Sequence, residues 1–201
     1  MSQSVLLRSA LLVVTTLTVF IAAQITEDFY GTNDCSGSPT SSYQHTAGAC
    51  TLGGLVYQCE SSRQCLEIRV YDTTDGGRRK ASADDGCSGT LLSSEGMACD
   101  ECTGGSDTTV STIVKGCNSA HPSIQTCFGS GSCSSGCNSD SGNLTLGCLT
   151  GDNGTAVDVR VVPCSAVLMQ DYENYDSCSG SMLSQSVFAG GICTGGMMWR
   201  C

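Results

Sequence analysis

Aromatic residues make up only 5% of this 201-residue chain, with a single tryptophan, and nine basic residues face nineteen acidic ones. So few large rings leave little area for a conventional core, because aromatic side chains bury the most surface each. The shortage of Lys and Arg excludes a nucleic-acid or anionic-membrane surface, since phosphate contacts need positive charge. Two histidines, His45 and His121, leave little for base chemistry. Beyond the first two dozen residues there is no apolar run long enough to span a bilayer. Nor does any stretch sustain a helical period, because glycine and serine interrupt nearly every candidate helix.

What is present begins with an export signal. Arg8 and the apolar stretch from Ala10 to Ala23, ending in Ile21-Ala22-Ala23, read as a signal peptide over residues 1–23. Cleavage there starts the mature chain at Gln24 and leaves eight basic residues, a net charge of −11. All sixteen cysteines follow this point. An even, dense set behind an export signal predicts up to eight disulfides in a secreted, extracellular protein.

The cysteines fall into a repeat. Cys35-Ser36-Gly37 precedes Cys50 by fifteen residues, counted from the first cysteine, and the same span separates Cys87 from Cys102 and Cys178 from Cys193. An eroded copy runs from Cys133 to Cys148, again fifteen apart. A third cysteine closes each copy, at Cys59, Cys117, Cys164 and Cys201, and four extras remain: Cys65, Cys99, Cys127 and Cys137. The first cysteines recur every 45–52 residues, a period that signals a repeat array. The expected fold is all-β and disulfide-rich, with four tandem small modules at 24–65, 66–123, 124–164 and 165–201. Cys35, Cys50, Cys59 and Cys65 are expected to form a closed set of four. The last copy, with three cysteines, is expected to bridge to an earlier one.

β-branched and aromatic enrichment predicts closing strands at Leu55–Tyr57, Thr109–Val114, Val157–Val162 and Met197–Trp199. Leading strands are predicted at Ile25–Tyr30, Leu66–Tyr71 and Ala166–Met169. In Leu66-Glu67-Ile68-Arg69-Val70-Tyr71 apolar and charged residues alternate as in a half-buried strand with a charged outer face.

Candidate sites are few. The sequons Asn143-Leu144-Thr145 and Asn153-Gly154-Thr155 would carry glycans on exposed loops. Tyr57 and Trp199 each stand two residues before a closing cysteine and would form a sugar-stacking face if exposed. Arg78-Arg79-Lys80 lies in an insertion of the second copy and would suit a processing site or a bait for trypsin-like proteases. A solvated hairpin tip explains it as well.

Catalysis and cofactors find weaker support. Gly116-Cys117-Asn118-Ser119-Ala120-His121 alone crowds Cys, Ser and His, but Cys117 is an anchor of the repeat. Cys99-Asp100-Glu101-Cys102 has redox spacing without a thioredoxin-like setting. Zinc on Cys99, Cys102, Cys133 and Cys137 would need reduced thiolates, and Asp140-Ser141-Gly142 reads as a turn. Calcium is conceivable at 138–143 and 171–176, where oxygen ligands gather without EF-hand order. The sequence therefore predicts a non-enzymatic, cofactor-free structural or surface-interaction protein with no membrane span in the mature chain. Its partner would be an extracellular protein or glycan, or a second copy. The alternatives are a lectin, a protease inhibitor and, last, a secreted hydrolase.

Overall fold

The computed structural model describes residues 23–74, 87, 89–105, 109–129, 133, 136–138, 143–151 and 153–201. Twelve strands and no helix are present among them. In chain order they are β1 (Gln24–Phe29), β2 (Ser41–Thr46), β3 (Leu55–Asp72), β4 (Thr90–Ala98), β5 (Cys102–Gly105) and β6 (Val110–Lys115). Then come β7 (Ser123–Phe128), β8 (Gly147–Thr150), β9 (Thr155–Asn174), β10 (Ser179–Gly190), β11 (Cys193–Thr194) and β12 (Met197–Arg200). Every predicted strand falls on one of these, with Tyr30 and Thr109 just outside the observed bounds. One sheet runs β11-β12-β1-β2, and a larger one runs β4-β3-β9-β10-β5-β6-β7, with β8 beside β9.

The frame is the pair β3–β9, antiparallel from Leu55↔Asp171 to Asp72↔Thr155 with one irregularity between Glu60 and Arg63. The closing strand of the first copy and the leading strand of the second are thus one strand, β3. The third and fourth copies merge in β9 in the same way, so residues 65–66 and 164–165 lie inside strands. Four separate beads do not emerge, because copies too small for a core of their own share strands instead.

All sixteen cysteines are paired and none is free. Cys35 bonds Cys193 while Cys50 bonds Cys178, so the first and fourth copies exchange their fifteen-residue arms. Cys87 bonds Cys148 while Cys102 bonds Cys133, and the second and third copies do the same. Cys59–Cys201 joins two closing cysteines, and Cys65–Cys164 clips β3 to β9 near the irregularity. Cys99–Cys117 and Cys127–Cys137 are local. The closed set expected of Cys35, Cys50, Cys59 and Cys65 does not form, since all four bridge out of their segment. The bridge from the last copy does form, three times over, and always to the first copy.

Strand pairing repeats this exchange. Moving 143 residues along the chain carries Cys35 to Cys178 and Cys50 to Cys193. The same shift maps Thr26↔Arg200, Glu27↔Trp199 and Asp28↔Met198 onto Met169↔Tyr57, Gln170↔Val56 and Asp171↔Leu55. The first and fourth copies are therefore related by a local twofold in which each closing strand pairs with the other copy's leading strand. In the second and third copies β6 pairs with β7, and the Val157–Val162 part of β9 pairs with the Leu66–Tyr71 part of β3.

The charged face of Leu66–Tyr71 is not solvated. Glu67 and Asp158 are buried, and the register places Glu67 opposite Arg160 and Arg69 opposite Asp158. Within each strand Arg69 Nε donates to Glu67 Oε1 at 2.8 Å, and Arg160 ion-pairs with Asp158. Four charges of alternating sign thus share one face of the ladder. Pairing is what makes their burial tolerable.

The core is fragmented, as the aromatic count implies. One cluster packs Ile25, Tyr57, Val167 and Trp199, and two others gather around Cys65 and Leu168 and around Leu66 and Val114.

Candidate functional site

A cleft of about 290 Å³ opens where β4 crosses the β5–β6 and β10–β11 segments. Its apolar lining is Met97, Ala98, Ile113, Val114, Val187 and Phe188, and its polar lining is Glu95, Glu101, Thr103, Thr112 and Thr194. Glycine decides the fit of one wall. A Cβ on Gly96 would stand 2.8 Å from both Ala189 Cβ and Ile192 Cγ2. Only a bare backbone lets β4 lie against the β10–β11 turn. Gly96 N–H donates to Thr194 Oγ1 at 3.1 Å, and the Ser94 hydroxyl donates to the Cys193 carbonyl.

Glu101 is the constrained carboxylate. It lies 2.7 Å from Arg63, which also pairs with Glu60. Burial raises the Glu101 carboxyl above its ordinary value, while the Arg63 guanidinium opposes the rise. Glu95 is exposed at the rim. Among the described residues no His, Lys or Arg belongs to the lining. The cleft can accept hydrogen bonds from a ligand with donor groups and an apolar body.

Tyr57 and Trp199 come together, as their placement suggested, but in the interior. Their exposures are 6% and 4%, so neither ring faces a sugar. Their centroids are 5.8 Å apart at 29°, and Trp199 also stacks on Phe188 at 4.7 Å. His45 stacks on Tyr57 at 4.0 Å, with its Nε2 3.2 Å from Glu27 Oε2. Burial raises the Tyr57 phenol, and Glu27 adds to the rise. Strand pairing explains the burial. Tyr57 on β3, beside β9, and Trp199 on β12, beside β1, pack into one buried cluster with Ile25 of β1 and Val167 of β9, and Cys59, bonded to Cys201, packs against it.

The remaining candidates separate. Cys99 and Cys102 bond different partners, so the C-x-x-C spacing is not a redox pair and no thiolates are left for zinc. The Ser119 hydroxyl donates to the Gly116 carbonyl at 2.7 Å and accepts from the His121 backbone N–H, and the His121 residue is exposed. Asn143 and Asn153 are exposed. Glu173, Asn174, Tyr175 and Asp176 line an open hollow with Ser179 and Gly180. Among the described residues no group of three or more His, Cys, Asp or Glu side chains could hold a metal ion. Arg78, Arg79 and Lys80, the 138–143 loop in part, the Asp140 turn and residues 1–22 lie outside the described residues.

Sequence reasoning did not find the cleft. Its residues come from five strands and, with Glu101, from the β4–β5 connection, and only the conformationally permissive Gly96 within a strand hinted at a close approach. Compared with known proteins, the chain matches no family model, no curated protein and no solved structure.

Proposed function

We propose that this is a secreted, non-enzymatic scaffold that works by surface contact with an extracellular protein or glycan. The arm exchange of the disulfides carries the reading. Six of the eight bridges join different copies, which ties the ends of the chain into one body and keeps its surfaces in fixed relation. Such pre-organisation favours binding, because little loop entropy is lost on contact. The four-copy organisation belongs to this reading as four related segments, exchanged in two pairs rather than strung as beads.

Full pairing of the cysteines suits an oxidising compartment. Among the described residues no helix is long and apolar enough to cross a membrane. A lectin reading would now rest on the cleft, with Phe188 backed by Trp199, and not on Tyr57 or Trp199 directly. The inhibitor reading rests on the Arg78-Arg79-Lys80 loop.

The test is a screen of the disulfide-intact mature protein against glycan arrays and extracellular-matrix proteins. The expected result is saturable binding that weakens in Glu95→Ala and Thr112→Ala and disappears on reduction. Catalytic turnover of ester, glycoside or peptide substrates, lost on reduction in place of binding, would overturn the proposal.

A further inference from the structure

We infer that the outer edge of β2 is a self-association surface on which two copies of this chain pair antiparallel. This goes beyond the reading above and does not depend on the ligand of the cleft. The internal twofold supplies the first argument. Asp28 and Asp171 are equivalent, and they pair with Ser42 on β2 and Ser184 on β10 respectively. The outer edge of β10 is occupied there, with Ser184↔Gly105 and Gln185↔Gly104 joining it to β5. The equivalent positions on β2 are Ser42 and Tyr43, and among the described residues no strand pairs with them. The edge of β4 is covered by the β11 segment through Ser94 and Gly96.

The hydrogen-bond phase supplies the second argument. Ala47 N–H donates to the Ala23 carbonyl at 2.9 Å. Antiparallel alternation then turns the odd residues of β2 toward β1 and directs the backbone groups of Ser42, Gln44 and Thr46 outward. An unpaired row of this kind is normally blunted by charge, proline or a bulge. Here the strand Ser41-Ser42-Tyr43-Gln44-His45-Thr46 carries no carboxylate, Lys, Arg or Pro, and Tyr43 is 57% exposed.

A second copy is the occupant that the strand's own make-up fits, since a stretch without fixed charge is where two acidic copies can meet. The mature chain carries −11, so two copies repel wherever free carboxylates meet. The acids of β1 have partners within the chain: Glu27 Oε2 lies 3.2 Å from His45 Nε2, and Asp28 takes the Ser42 hydroxyl and pairs with Arg200. With Gln44 on the twofold axis, Ser42 faces Thr46 of the other copy and Tyr43 faces His45, with no carboxylates opposed. The four-stranded sheet then doubles.

Sedimentation of the disulfide-intact mature protein from micromolar to millimolar concentration tests this. A dimer is expected that strengthens with added NaCl, because salt screens the net repulsion. Gln44→Lys, which sets two ammonium groups face to face at a solvent-exposed position, and Gln44→Pro should each raise the dimer dissociation constant at least about tenfold. Amide exchange at Ser42, Gln44 and Thr46 of the unaltered protein should slow with concentration. A monomer at millimolar concentration in high salt would overturn the proposal. So would a dimer indifferent to both substitutions, or exchange independent of concentration.

Discussion

Asp158 lies directly across the β3–β9 ladder from Arg69, with only 1% of its surface exposed. It also pairs with Arg160, which in turn faces Glu67. Removing one charge from such a set leaves the others buried without balance. Asp158→Asn is expected to destabilise the fold by about 3–5 kcal/mol. Replacing exposed Glu95 by Gln, which has no such neighbours, should stay within about 0.5 kcal/mol. Urea unfolding of the two variants measures both values, and equal losses would show that the quartet is not acting as a unit.

The exchanged arms set the effect of each disulfide. Cys35 and Cys193 are 158 residues apart in sequence, which by loop-closure entropy alone would correspond to about 5 kcal/mol. With Cys50–Cys178 in place, the bridge closes a ring of only about 32 residues, made of two equal arms, and contributes about 3.7 kcal/mol. The double replacement Cys35→Ser, Cys193→Ser should show the smaller figure in denaturant unfolding. The larger figure would mean that the neighbouring bridge does not constrain the unfolded chain.

Glu101 gives a pH signature with a definite sign. Burial lifts its carboxyl above the ordinary 4.5, so the folded state holds this proton more tightly than the unfolded chain does. Its contribution to stability is full below the unfolded value and is lost as pH rises through the folded one. Glu101→Gln should therefore gain on the parent protein as pH rises from about 4 to about 7. A variant that loses ground over that range would show the Arg63 pair outweighing burial.

Trp199 is the only tryptophan in the chain, and its buried ring stacks on Phe188. Its fluorescence should be blue-shifted and shielded from acrylamide until the protein unfolds. Trp199→Ala should cost about 3–5 kcal/mol by leaving a cavity between the two sheets. Glycan binding that vanished in Trp199→Ala without loss of stability would place the ring on the surface instead.

Local features were legible from the chain alone. Val, Ile and Tyr runs such as Val157–Val162 became strands because their side chains fit a pleated, half-buried surface. That every cysteine would be oxidised was expected from their even, dense number. The Glu67 and Arg69 pattern was legible only in part. Alternation identified a strand, but an outer face of charge reads as solvated until Asp158 and Arg160 are found opposite.

What the sequence by itself determined is the repeat: strands at set places and cysteines fifteen residues apart in every copy. The equal span now has a physical reason, since two arms exchanged about a twofold close only if they match in length. Which copy takes which partner was decided by the tertiary structure. Cys35 meets Cys193, and Tyr57 packs beside Trp199, because β1 pairs with β12 while β3 pairs with β9. Contacts between strands more than a hundred residues apart leave no periodicity in the chain, so spacing alone could set the arms but not join them.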